Sequence, residues 1–216
     1  MVSAARRLQP EWGGVRYDAV VFDLLTALLD SWSLWNAVAG SAADGLKWRR
    51  RYLEITYGCG AYRPYETLVQ EAARDVGLPE SLGDELERRW PQLQPWPEAP
   101  AVLKRIGLPL AVATNCSMRL GHRAAARVGV PFAVIETAES VGFYKPRPEV
   151  YRTVLRHLRT EPQRTLFVAG SSSDVPGARA IGMPVYWHNR IGLPARGNTQ
   201  PDYLEASLEP LLSCLR

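Results

Sequence analysis

"AVVFDLLTALLDSW", residues 19–32, decides the fold. Its opening Ala, Val, Val and Phe read as a strand buried on both faces. One carboxylate, Asp23, then cuts the run, which resumes with Leu24 and Leu25. Burying a charge without compensation costs several kcal/mol. Asp23 therefore needs either a partner or a task.

Working outward, short apolar runs bounded by turn or polar residues fall at 17–23 (YDAVVFD), 107–115 (GLPLAVATN), 131–136 (PFAVIE), 165–170 (TLFVAG) and 184–189 (PVYWHN). Between them lie the helix-like segments SMRLGHRAAARVG, RPEVYRTVLRHLRT and VPGARAIG. Strand alternating with helix is the pattern of a parallel sheet covered on both sides, with right-handed crossovers. The fold class expected is α/β, a Rossmann-like parallel sheet flanked by helices.

Residues 31–100 break that rhythm with helical periods and no strand-like run. LKWRRRYLEITYG is one period, ETLVQEAARDVGL another, and SLGDELERRW opens with a candidate capping pair, Ser81 and Asp84. PQLQPWPEAP then reads as a return linker. The expected organisation is a loose leader at 1–14, a Rossmann-like core made of 15–30 and 101–216, and a helical insertion at 31–100 after the first strand. There is no internal repeat and no low-complexity tract.

With 216 residues, 46% apolar and 22% charged, the chain suits an ordinary globular domain, and no apolar run reaches a membrane-spanning length. Cys59, Cys116 and Cys214 lie far apart without metal-ligand spacing, which argues against a zinc site or a disulfide framework and fits a cytoplasmic protein. A formal charge of +4 comes from scattered arginines, so a nucleic-acid partner is not implied, whereas a small anionic substrate is compatible.

Ligands of an open parallel sheet bind beyond the carboxyl ends of its strands. There the sequence offers Asp23, Thr114 with Asn115, Lys145 and, after the SSS run, Asp174. Lys145 beside Asp23 would favour the ionised carboxylate as a nucleophile. Thr114 and Asn115 are expected to hold one carboxylate oxygen and leave the other free to attack. Asp174 would hold Lys145 or take a proton from water. Structural readings stand beside these: Asp23 as a turn residue, Lys145 as a solvated side chain, Asp174 as a helix N-cap. His122, His157 and His188 read as structural, and a Ser/His/Asp triad has no support. Trp32, Trp35 and Trp48 read as packing residues, with one or two lining the cleft.

The order Asp23, Thr114–Asn115, Lys145, Asp174, with a helical insertion after strand one, resembles the haloacid dehalogenase superfamily, and the insertion its cap. Most members of that superfamily are phosphatases that hold magnesium with acids at the places taken here by Leu25 and Ala169. The finer resemblance is to the metal-independent L-2-haloacid dehalogenases, carried by YKPRPEVY, WRRRYLEITY and GARAIGMPVYWHNR. It implies no cofactor and no metal, an Asp23 ester as intermediate, and a substrate-binding set of Arg49, Leu25, Thr26, Tyr151 and Ser171. From the residues alone, only one of Arg49, Arg50 and Arg51 can face a cleft, and Tyr151 is a core position. The dehalogenases follow the nucleophile with two residues and then Gly and Thr, where this chain has Thr26 and Ala27. Leu25 stands for a tyrosine, and Ala169, Ser171 and Ser173 for a serine, an asparagine and an aromatic residue. Two other readings stay open: a phosphatase with atypical metal ligands, and a catalytically weak member that binds a small anion or a protein. Relatives of this kind often pair, which leaves a homodimer open.

Overall fold

In the computed structural model, which describes residues 16–195, 197–198 and 200–215, Ala19–Phe22 form β1 with every side chain buried. The strand alternation places Val20 and Phe22 in one apolar cluster and Val21 in the other, so helices cover both faces. The leader expected at 1–14 lies outside the described residues.

β1 pairs in parallel with β2 (Leu110–Thr114) on one side and with β4 (Thr165–Ala169) on the other. β3 (Val134–Thr137) extends the sheet beyond β2, while β5 (Val185–His188) and β6 (Tyr203–Glu205) extend it beyond β4. The order β3-β2-β1-β4-β5-β6 is all parallel, as the Rossmann-like reading expected. β6 is an addition to the expected strands. It has three residues, only one of them buried, and so presents no apolar run to read.

The helices of the second expected segment are α1 (Ser31–Ala39), α2 (Ala42–Gly58), α3 (Tyr65–Asp75) and α4 (Ser81–Arg88), followed by α5 (Ala99–Leu103). Trp35 and Trp48 pack with ring centroids 4.6 Å apart, and the Trp48 indole donates to the Val69 carbonyl at 2.8 Å. The Ser81–Asp84 capping pair does not form: Glu80 precedes α4 without a side-chain cap, and Asp84 instead accepts from Gln70 at 2.7 Å. Side-chain caps lie instead on α1, where Asp30 accepts from the Ser33 amide at 3.0 Å, and on α2, where Ser41 accepts from the Asp44 amide at 3.0 Å. Leaving and returning chains run side by side through the Leu29–Pro95 bridge, and the Trp96 amide donates to Leu28 at 2.9 Å.

The remaining helices are α6 (Met118–Arg127), α7 (Ala138–Val141), α8 (Pro148–Leu158), α9 (Asp174–Ala180) and α10 (Leu211–Cys214). Among the described residues no helix is long and apolar enough to cross a membrane.

Candidate active site

β1 is central, so Asp23 emerges between the end of β2 and the loop after β4, where the strand order reverses. Asp23 is 7% exposed. Its Oδ2 accepts three bonds: from the Thr26 hydroxyl at 2.6 Å, the Thr26 amide at 2.9 Å and the Ala27 amide at 3.2 Å. Its Oδ1 accepts from Lys145 Nζ at 2.8 Å. The ammonium of Lys145, a residue 2% exposed, also donates to Asp174 Oδ2 at 3.1 Å. Burial works against the ionised Asp23, but the Lys145 charge and these hydrogen bonds outweigh it and hold the carboxyl below its ordinary value. Burial likewise opposes the Lys145 ammonium, and Asp174 and Asp23 overcome it, raising its pKa. For Asp174 burial prevails over Lys145, and its pKa rises to about 6.

Thr114 and Asn115 do not hold Asp23, contrary to the sequence reading. The Thr114 hydroxyl points at Cys116 Sγ, 3.5 Å away. Asn115 clamps the Lys145 backbone, accepting from its amide at 2.7 Å and donating to its carbonyl at 3.1 Å. The task assigned to that pair falls to the Thr26–Ala27 turn, because backbone amides three and four residues on reach back to the carboxylate as in an Asx-turn. Asp174 is the first residue of α9 and not its cap, which leaves its carboxylate for Lys145. Tyr151 is fully buried against Phe167 and lies outside the cavity wall; its hydroxyl donates to the Asp174 carbonyl at 3.3 Å.

Thr26 stands one place earlier than the threonine of the resembling dehalogenases, yet its hydroxyl reaches Asp23. Gly170 makes room for it: a Cβ there would lie 2.2 Å from both Thr26 Oγ1 and the Ala27 nitrogen. The turn is held from behind as well. The Trp96 indole donates to the Thr26 carbonyl at 3.0 Å, and His188 Nδ1 to the Ala27 carbonyl at 2.9 Å.

Across the cavity stands Arg49 on α2. Of the three successive arginines it alone turns inward, at 6% exposure, while Arg50 is exposed and Arg51 pairs with Asp75 at 2.8 Å. The guanidinium lies 4.2 Å over the Trp32 ring and donates to the Ser31 hydroxyl at 2.8 Å. It has no carboxylate ion-pair partner among the described residues. Burial pulls its pKa down, but a guanidinium stays charged in proteins. Leu25, Thr26, Trp32, Tyr52, Leu53, Thr114, Asn115 and Ser171 complete the wall around Asp23, Lys145, Asp174 and Arg49, enclosing about 430 Å³ with the mouth included. A divalent cation does not suit this donor set. An ammonium bridges the two carboxylates, and Leu25 and Ala169 bring no side-chain oxygen.

Sequence reasoning missed Ser31, Tyr52 and Leu53. Tyr52 donates to the Asn115 carbonyl at 2.8 Å, tying α2 to the loop after β2. For Tyr52 and Leu53 position on α2 was the available signal, since they follow Arg49 at helical spacings of three and four, whereas Ser31 opens α1 and carried no such signal.

A family model described as haloacid dehalogenase-like hydrolase matches residues 17–182. The (S)-2-haloacid dehalogenase H-109 of Pseudomonas putida is 32% identical over 195 residues, covering 81% of this chain and 87% of that one. The haloacetate dehalogenase H-2 of Moraxella sp. (strain B) is 28% identical over 196 residues, 82% of this chain and 88% of its own. A crystal structure of the L-2-haloacid dehalogenase RSc1362 superposes with a TM-score of 0.82 at 25% identity, covering 93% of this chain and 99% of the other.

Proposed function

This chain belongs to the haloacid dehalogenase-like hydrolase family, and from that premise we propose that it hydrolyses the carbon–halogen bond of a small 2-haloalkanoate through an ester on Asp23. The observation that carries the proposal is Arg49. A buried cation without a counter-ion costs several kcal/mol, and a carboxylate entering the cavity relieves that cost through the two-pronged geometry that guanidinium fits best. The acid group so held leaves C2 facing Asp23.

Asp23 Oδ2 is saturated by the Thr26–Ala27 turn, so Oδ1 is the attacking atom. Oδ1 forms a bond to C2 as the carbon–halogen bond breaks and halide leaves with the bonding pair. A water then adds to the ester carbonyl, giving up its proton to Asp174, and collapse releases the 2-hydroxyalkanoate and restores Asp23. Lys145 holds both carboxylates in register. Tyr151, bonded to the Asp174 backbone, positions that base and does not touch substrate. Residues 31–100 act as the cap that brings Arg49 over the sheet.

Halide release from 2-chloropropanoate, undiminished by EDTA and absent in Asp23→Asn, is the expected result. In heavy-oxygen water, a single turnover with enzyme in excess should label Asp23 before the product. Label appearing first in product sinks the ester. Metal-dependent release of phosphate from a generic phosphoester, without halide release, would make the chain a phosphatase. Turnover of neither substrate would leave an anion-binding relative.

A further inference from the structure

A second hollow adjoins the reactive cavity. It shares Trp32, Leu53 and Ser171 with the first and widens between Leu46 on α2 and Leu193 on the far side, to about 730 Å³ with its mouth included. Its sheet-side border is the serine run 171–173, whose small side chains leave it open; Arg50 and Glu54 are its charged neighbours. The Leu193 wall is fixed, because Asn189 accepts from the Leu193 amide at 2.7 Å and donates to its carbonyl at 2.8 Å.

The chemistry at C2 gives this hollow a use. Asp23 approaches C2 from one side, the halide departs opposite it, and Arg49 holds the carboxylate. Hydrogen and the alkyl group remain, and the outlet open to the larger of the two runs past Trp32, Leu53 and Ser171, the residues common to both hollows. We propose that this groove is a subsite for the alkyl tail of unbranched 2-haloalkanoates of four to six carbons. The inference rests on the dehalogenase reading above and extends it to substrate length. The tail slides between Leu46, Leu53 and Leu193, and each methylene taken from water there favours binding by up to about fourfold.

The test measures kcat/KM for 2-chloropropanoate, 2-chlorobutanoate and 2-chlorohexanoate. The hexanoate is expected to equal or exceed the propanoate. A lower value for the hexanoate overturns the subsite while leaving the dehalogenase reading intact, whereas no halide from any of the three overturns both. Leu193→Trp and Leu46→Trp, each filling the groove from a different wall, are expected to lower the hexanoate-to-propanoate ratio about tenfold, the discrimination that one or two methylenes provide in an apolar pocket. An unchanged ratio in both variants, with near-ultraviolet circular dichroism like that of the parent, also overturns the assignment.

Discussion

The two walls of the cavity are built on opposite plans. At the sheet rim, every charged group is ion-paired or saturated by hydrogen bonds: Asp23 by Lys145 and the Thr26–Ala27 turn, Lys145 by two carboxylates, and the turn itself by Trp96 and His188. The α2 wall does the reverse. It presents one buried guanidinium held by a hydroxyl and two indole faces, and it meets the rim through Tyr52 on the Asn115 carbonyl and Tyr57 on the Ser173 carbonyl, at 2.8 and 2.7 Å. A pre-paired rim is ready for chemistry before substrate arrives. The unpaired wall, on the proposed reading, is completed by substrate. Stability and activity should therefore fall together on the rim and separate on the wall.

The strongest test is Lys145→Met. It leaves Asp23 and Asp174 buried with no cation between them, so halide release should vanish and unfolding free energy should drop by about 3–5 kcal/mol, the usual cost of breaking a buried pair. A halide-release assay checks the first half of the statement and chemical denaturation of the same variant the second. Retained stability would show that the rim is not held by its charges. Arg49→Met comes next and should split the two quantities. Losing the partner of a buried carboxylate should cost about 2–5 kcal/mol in kcat/KM, while the melting temperature stays level or rises because an uncompensated charge has left the interior. A clear fall in melting temperature would mean that Arg49 serves the fold.

A smaller effect is set by pH. Burial keeps the Asp174 pKa at about 6, so its base form is lost as pH falls through that value. Esterified Asp23 is neutral and no longer raises that value, so the rate of ester hydrolysis should decline as pH falls through a point at or below about 6, approaching tenfold per pH unit, as for any single essential base. The linkage sign separates this loss from unfolding. A carboxyl whose pKa is higher folded than unfolded binds its proton more tightly in the native state, so its own contribution to stability grows as pH falls from about 6 toward the ordinary carboxylate value. Asp23 and Lys145 keep their charges in this range, since the one is shifted down and the other up. Rapid-quench rates at pH 5 and pH 7, with circular dichroism on the same samples, separate the two effects.

The same division governs what the sequence disclosed. Strand periodicity announces where polar residues leave the sheet, and from that alone Asp23, Lys145 and Asp174 could be grouped; the structure places them within hydrogen-bond reach. Which partner each residue takes was not legible for Thr114 and Asn115, because a strand end aims a side chain only to within a turn, and the neighbouring loop decides the rest. The hydroxyl of Thr26 depends on Gly170, a contact between residues remote in the chain that no local pattern encodes. Tyr151 was visible only as part of a motif, and its place beneath Asp174 reflects helix packing. On α2 the run Arg49, Arg50, Arg51 stated that one arginine turns inward without saying which, since the answer lies in the Trp32 face that covers it.

Ser31 gives the smallest and most discriminating test. Its hydroxyl donates to the Leu25 carbonyl and accepts from Arg49 at 2.8 Å, so one buried atom links the floor of the cavity to the cation above it. Its amide makes a separate bond to the same carbonyl at 3.3 Å. Ser31→Ala therefore keeps an anchor for Leu25 and removes the only hydrogen-bond acceptor that Arg49 has among the described residues. A guanidinium freed in this way is less well aimed. KM for 2-chloropropanoate should rise about fivefold, the worth of one net hydrogen bond, with kcat changed by less than about twofold, and Ser31→Thr should restore most of the loss. A fall in kcat at constant KM would show that the hydroxyl acts through Leu25 on the nucleophile turn. The wall would then share in the chemistry of the rim, and the contrast between the two would fail at the one residue that touches both.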